Sequence, residues 1–398
     1  MRKTDVVIIG GGLAGSVTAA MLGRAGIAAV LVEPHESHPR ELRCEKISGE
    51  HQLELLGRTG LAEAALRIGA HDGQIWIARF GRLIDKRPSQ QYGFMYNSLV
   101  DAMREEIPPD VGQIRAKATA ISISDDLQIV TLSTGEQVSA RLAVMANGPS
   151  IGLRQSLGIE RPVISACHSI SVGFDIAPVG RAAFDFPALT YFSERTELRT
   201  AYLTLFPVRY GMRGNLFVYR EVDDPWLRQM RRSPIEALDA CLPRLRALIG
   251  DYAITGDILI RPVDLYVSAG YRQAGIVLVG DAFASPCPGS GTGAAKVFTD
   301  VTQLCNVHIP NWLATPGMDA TKICQFYDDP VKRECDAWAE GQAHTLRAVT
   351  LENSLFWQVQ RWARFFGRLG QGIARRARAS ILPAVANSIG EAGRHSRA

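Results

Sequence analysis

Gly10, Gly12 and Gly15 follow the apolar run Val6-Val7-Ile8-Ile9 with the spacing G-x-G-x-x-G and lead into a helix-forming stretch. That arrangement suits the gripping of a diphosphate. Gly10 permits a tight turn, Gly12 lets backbone approach the pyrophosphate, and Gly15 allows close helix–strand packing. The helix N-terminus adds N–H donors and a partial positive charge. Glu33 ends a second apolar run, Ala28-Ala29-Val30-Leu31-Val32, where a carboxylate can accept from ribose hydroxyls. A second candidate loop lies far downstream. The run Gly275-Ile276-Val277-Leu278-Val279 ends in Gly280-Asp281-Ala282, followed by Pro288, Gly291 and Gly293 and then a helical stretch, 294–304. Two such loops suggest a dinucleotide gripped from both ends, with flavin favoured over nicotinamide.

The elements that must position these loops are legible from hydrophobic pattern. Residues 5–9 and 28–32 read as short buried parallel strands around a helix over 13–25, a βαβ unit. Helices are expected over 50–69 and 97–106, and short strands over 118–123, 128–133 and 141–145. Alternating, aromatic-rich segments between 163 and 222 predict a mostly antiparallel sheet, His168 among them. Residues 225–248 read as helical, 259–272 as a lead back into the first domain, and 328–378 as helical, with fraying after Ser380. The expected fold is α/β, or α+β overall. A Rossmann-like FAD-binding domain (1–80, 92–160 and 265–330) carries an inserted β-sheet substrate domain (81–91 and 161–264) and a C-terminal helical region (331–398).

These motifs resemble the flavoproteins of the para-hydroxybenzoate hydroxylase fold, which include aromatic monooxygenases, geranylgeranyl reductase-like dehydrogenases and flavin halogenases. The resemblance covers most of residues 5–305. The family's GDAxHxxxPxxGxG segment is matched at Asp281, Pro288, Gly291 and Gly293, with Ala284 where the histidine usually stands. The resemblance implies that Asp281 holds the ribityl chain. It also implies that backbone N–H groups around Gly291, Thr292, Gly293 and Ala294 face the flavin pyrimidine edge. Ala146-Asn147-Gly148 with Arg154 is similar to ADGxxSxxR, with Asn147 for Asp and Ile151 for Ser. Arg43 matches an arginine that meets the pyrophosphate. Lys46-Ile47-Ser48-Gly49 resembles the K-x-Cys-Gly of the reductase branch, with Ser48 for Cys. The expected cofactor contacts are Gly10, Gly12, Leu13, Ala14, Gly15, Glu33, Arg43, Asp281, Gly291, Thr292, Gly293 and Ala294.

No catalytic acid or base stands out; Lys46, His168 and Pro288 are the candidates, and small-residue packing is the reading favoured for Cys287. The resemblance implies FAD as cofactor, NADPH or NADH as electron donor, and hydroxylation of an aromatic or apolar metabolite through a flavin C4a-hydroperoxide. The alternatives are a geranylgeranyl reductase-like or quinone-linked dehydrogenase and, third, a halogenase, although no WxWxIP motif is present. A flavin-binding protein without turnover is the reading from outside the enzymes. The 398 residues are 46% hydrophobic and 21% charged with net charge +4, ordinary globular values that do not call for nucleic acid. The seven cysteines form no CxxC pair, so no metal site is expected, and reduced thiols in a cytoplasmic setting are the expectation. No signal peptide is evident, and no apolar run approaches the roughly 20 residues of a spanning helix. Between 355 and 378, Phe356, Trp357, Val359, Trp362, Phe365, Phe366 and Leu369 interleave with Arg361, Arg364, Arg368, Arg375, Arg376 and Arg378. A helix packed on the protein with an arginine-rich outer face is favoured there over one lying on an anionic membrane.

Overall fold

The computed structural model describes residues 1–40, 44–193 and 195–395. Arg43 lies outside the described residues. Val6, Val7 and Ile8 are fully buried in the strand Arg2–Ile9, as expected of a β-branched run covered on both faces. Parallel neighbours Ala29–Val32 and Gln137–Met145 flank it. The long strand Gln137–Met145 divides its other edge. Its first half pairs antiparallel with Gln128–Leu132, and its second half pairs parallel with Ile276–Leu278. That register places the start of the 280–293 loop beside the 10–15 loop, although the two are far apart in sequence. With Gly112–Ile114 and Ala118–Ser122 at the edges the sheet has seven strands.

A second sheet of eight strands runs in the order Ala284–Ser285, Tyr252–Val267, Val163–Pro178, Gly211–Val218, Thr200–Val208, Ala188–Phe192, Gln74–Arg79, Arg82–Pro88. Every pair is antiparallel except Ala188–Phe192 with Gln74–Arg79. Side chains alternate along a strand. Ile170, Val172, Leu203, Leu205, Leu216 and Val218 therefore turn to one face and bury against Trp226, Met230, Leu238 and Leu242. Ser171, Gly173, Tyr202, Thr204, Asn215 and Phe217 turn to the opposite face and line a cavity. A small sheet joins Cys44–Ser48, Gln91–Met95 and Ala70–His71, with Lys46 opposite Gly93.

Several expected boundaries shift, each for a local reason. The helix expected over 50–69 is two, Gly49–Arg58 and Ala62–Ile68, because Gly60 adopts φ +71° and ends the first. The 225–248 stretch is three helices, with Pro234 opening the second. The lead back at 259–272 begins inside one long strand, Tyr252–Val267. The hairpin Gln74–Arg79 and Arg82–Pro88 joins the eight-stranded sheet whole, so the boundary expected at residue 80 falls inside it. The C-terminal helices are Pro330–Leu351 and Leu355–His395, the latter passing the fraying point expected after Ser380. Glu352 leaves the helical region with ψ 132°, and Arg361 donates to the carbonyls of Val349 and Glu352, which satisfies the end of the first helix.

The last helix also departs from expectation, with arginines as well as aromatics turned to the body. Arg375 pairs with Asp85, and the Arg368 guanidinium lies 4.4 Å from the Phe192 ring centre, so these arginines face the body of the protein. Leu355, Phe356, Val359 and Phe366 are exposed, while Trp362 and Phe365 pack on Phe80. Among the described residues, no helix is long and apolar enough to cross a membrane.

Candidate cofactor and substrate site

The first glycine loop is shaped by backbone contact. A Cβ on Gly15 would lie 1.9 Å from the Gly10 carbonyl oxygen, so only glycine lets the helix Leu13–Arg24 approach the strand this closely. Gly10 has φ +101°, and a Cβ there would strike the Ala146 carbonyl. A Cβ on Gly12 would meet only the Tyr96 hydroxyl, at 3.5 Å. The open side of this turn belongs to a cavity of about 600 Å³ lined by Gly10, Gly12, Leu13, Ala14, Glu33 and Asn147, among others. Gly15 is absent from that lining and serves packing alone.

Glu33 is held rigidly. Its carboxylate accepts from the Gly11 N–H at 2.7 Å and the His35 N–H at 3.0 Å. Burial opposes its ionisation, but these donors and Arg104 hold its pKa below the ordinary carboxylate value. A carboxylate has about four acceptor sites, so capacity remains for hydroxyls in the cavity. Sequence reasoning missed Arg104, which is buried and donates to the carbonyls of Gly11, His35 and Glu36. Its signal was available: a charged residue beside Leu99, Val100 and Met103 on the buried side of the helix Tyr96–Glu105.

The second loop is held by side chains from elsewhere. The Gly280 N–H donates to Asp300, and Asp300 accepts in turn from Lys332 at 2.8 Å. Lys332 also donates to Asp336, which is bound by Lys296. Burial opposes ionisation of Asp300, yet Lys296 and Lys332 keep its pKa below the usual range. Arg154 is buried and ties the 148–150 turn to Ser268 at 3.1 Å and to the Ala282 carbonyl. Tyr202 donates to the Gly289 carbonyl at 2.6 Å, and Gln52 donates to that of Gly291 at 2.8 Å. Gly291, at φ +71°, has open space where a Cβ would stand. Thr292 turns its side chain inward, 2.9 Å from the Ser290 hydroxyl, and lines neither cavity.

A second cavity, about 410 Å³, lies between this loop and the polar face of the eight-stranded sheet. It adjoins the first: Glu45, Arg261, Asp281, Gly293 and Ala294 line both. Asp281 thus stands at the junction, where an elongated ligand would pass from one to the other. The residues fit FAD on structural grounds. The first cavity has a helix N-terminus without a side-chain cap, an anchored carboxylate, and the Asn147 Oδ1, which is buried without a hydrogen-bond partner. The second has the glycine-rich turn at the start of the helix Gly293–Gln303.

Of the three catalytic candidates, Lys46 and Pro288 line this second cavity and His168 does not. The Lys46 ammonium donates to the Thr204 hydroxyl at 3.0 Å, and burial lowers its pKa to about 8 against a smaller opposing pull from Asp72. Ser171 presents a hydroxyl to the same wall that is buried without a partner. His168 is instead buried with its ring nitrogens near the Ser165 hydroxyl and the Ala343 carbonyl, and burial lowers its pKa to about 4. It packs under the helix Pro330–Leu351, out of reach of a substrate. Cys287 is fully buried, and burial raises its pKa, as suits a packing role.

Residues 3–307 match the family described as FAD binding domain. The chain is 25% identical over 343 residues to aklavinone 12-hydroxylase of Streptomyces peucetius, covering 74% of this chain and 65% of that protein. It thus spans just under two-thirds of that relative's length. Among solved structures, p-nitrophenol 4-monooxygenase from Pseudomonas putida superposes with a TM-score of 0.73 at 18% identity, over 97% of this chain and 98% of that one. A flavin-dependent brominase superposes with a TM-score of 0.67 at 14% identity, over 93% and 94%. At such identities the superpositions establish a shared fold.

Proposed function

The chain belongs to the FAD-binding domain family, and from that premise we propose that it is an FAD-dependent hydroxylase of an aromatic metabolite, driven by NADH or NADPH. The observation that carries this reading is the second cavity. A glycine-rich roof suited to one face of a flavin lies over a sheet-walled chamber that can take a ring-sized substrate. The similarity to a hydroxylase in sequence and to a monooxygenase in fold supports it.

When bound, FAD accepts hydride from the nicotinamide and activates dioxygen. The balance is one O2, one NAD(P)H and one proton consumed for each hydroxyl formed and each water released. The chain's own residues bind, orient and exclude water. Glu33 would hold ribose hydroxyls at one end, and Asp281 would hold the ribityl hydroxyls at the junction. The Gly291 N–H is committed to the Pro288 carbonyl, so the N–H groups of Thr292, Gly293 and Ala294 would meet the pyrimidine edge, where a helix N-terminus favours added negative charge. Phe217, Leu259 and Val263 supply apolar wall. Lys46, held by Thr204, faces an acidic oxygen of the substrate, a phenolate or carboxylate, and fixes its orientation. A cation in a water-poor chamber discriminates strongly for such a group.

The test is aerobic turnover of phenolic aromatics by the purified full chain under labelled dioxygen. NAD(P)H-dependent appearance of one labelled oxygen atom in the product is expected. Anaerobic reduction of a quinone or an alkene, without oxygen incorporation, would place the chain among the reductases instead. Product formation that requires halide would make it a halogenase.

A further inference from the structure

We propose that a third cavity, beneath the two C-terminal helices, is a binding site for a small oxyanion, a carboxylate or phosphate carried on an aromatic body. It lies on the same sheet face as the substrate chamber, toward the strand Gln74–Arg79, with a volume of about 310 Å³. That volume is at the low end of the range for small-molecule sites, about 300–1,000 Å³, and suits a single-ring metabolite rather than a dinucleotide.

Its charge is one-sided. Arg79, Arg195, Arg361, Arg364 and Arg368 line it, and among the described lining residues only Glu197 is acidic. Glu197 is exposed and accepts from the Thr196 hydroxyl beside it. Asp85 attracts Arg368 but is itself paired with Arg375. The Arg79 Nε is buried without a hydrogen-bond partner. Burial, and then the repulsion of Arg368, Arg361 and Arg364, lowers the Arg79 pKa to about 10. Arg361 has one settled role, capping the preceding helix, so not every arginine is available. The others converge at a cost in repulsion that a bound anion would remove.

The walls define the rest of the ligand. Phe80, Phe192 and Trp362 line it, with Trp362 stacked on Phe80 and the Arg368 guanidinium over the Phe192 ring. Guanidinium forks suit planar carboxylate or tetrahedral phosphate equally. The site is separate from the substrate chamber. Tyr202, pinned to the Gly289 carbonyl, packs 5.8 Å from Phe192 on one side and 4.9 Å from Phe217 on the other, forming a shared wall. This arrangement accounts for the inward turn of Arg361 and Arg368 on a helix that leaves Leu355, Phe356, Val359 and Phe366 exposed.

The inference does not rest on the hydroxylase reading, and its test needs no turnover. Phenyl phosphate, benzoate and inorganic phosphate are titrated into the FAD-loaded full chain at low ionic strength by calorimetry, with thermal unfolding in parallel. One equivalent of phenyl phosphate or benzoate that is retained in Lys46→Met, and so lies outside the substrate chamber, is expected to bind and raise Tm, about tenfold more tightly than inorganic phosphate. Arg79→Gln and Arg368→Gln each weaken that binding by about tenfold or more through the lost charge-assisted bond. Their ligand-free Tm does not fall, because repulsion is relieved. The proposal is overturned if neither aromatic anion binds saturably, if inorganic phosphate binds equally well, or if both variants bind as the parent does. It is also overturned if Lys46→Met alone abolishes binding, which would put the anion in the substrate chamber.

Discussion

At the 10–15 loop backbone packs against backbone, with no room for a Cβ on Gly15 beside Gly10 or on Gly10 beside Ala146. At the 280–293 loop there is free space beside Gly291 and only Pro286 within 4 Å of a Cβ on Gly293, while Gly289 sits against Leu346 and Phe217. This loop is fixed instead by Asp300, Arg154, Tyr202 and Gln52, which come from four separate segments. The proposed phosphate end thus rests mostly on close backbone contacts, with Ala146 and Arg104 as its distant supports, whereas the proposed flavin end depends on a buried charge network and on the whole tertiary structure. The two ends should fail in different ways when altered.

The largest effect is expected at the second loop. Asp300→Ala leaves Lys332 and Lys296 buried beside Asp336 alone and strips the Gly280 N–H of its acceptor. Removing one partner from such a network costs about 3–5 kcal/mol, readable by chemical denaturation of the full chain. Gly15→Ala attacks the first loop by steric contact alone. It should cost about 1–3 kcal/mol and shift the Tm, with FAD affinity falling in step because the turn itself must move.

Glu33→Gln sharpens the contrast, since it removes charge but little volume. The bonds from Gly11 and His35 weaken, and FAD affinity should fall about tenfold with little change in Tm. At the substrate chamber, Lys46 is protonated below about pH 8 and neutral above it. Affinity for a phenolate or carboxylate ligand should therefore fall by up to about tenfold per pH unit above that point. Lys46→Met should lose affinity at neutral pH and abolish this alkaline limb in a ligand-titration profile.

The smallest effect belongs to His168. Burial lowers its pKa from 6.5 to about 4, so the unfolded chain takes up a proton before the folded one as pH falls. Its contribution to stability is whole above pH 6.5 and is lost progressively toward pH 4. His168→Gln should flatten Tm against pH across that window. It should leave turnover nearly unchanged, since His168 touches neither cavity.

These contrasts explain what could be read from the residues alone. The first loop is legible because its requirements are local: a strand, three glycines, a helix start and an acid about 20 residues on. At the second loop Asp281, Gly291 and Gly293 are visible as a motif, but Asp300, Lys332 and Gln52 gain meaning only when the chain folds back. The alternation that defines the two faces of the central sheet fails at His168. The strand slips register between Ser165 and Ser169, with Cys167 at φ +42°, so parity along the sequence no longer tells which way the imidazole points. In the last helix the amphipathic pattern is plain, yet arginines and aromatics share the face turned to the body. Aromatic stripes usually face a core; here Arg368 and Arg375 find Phe192 and Asp85 on the body.

Titration of the FAD-stripped full chain with FAD, followed by quenching of flavin fluorescence, tests the two-ended grip most directly, in the parent protein and in Glu33→Gln and Asp281→Asn. Saturation at one FAD per chain is predicted, with affinity reduced by either substitution. No saturable binding, or affinity that is indifferent to one of the two substitutions, would contradict it.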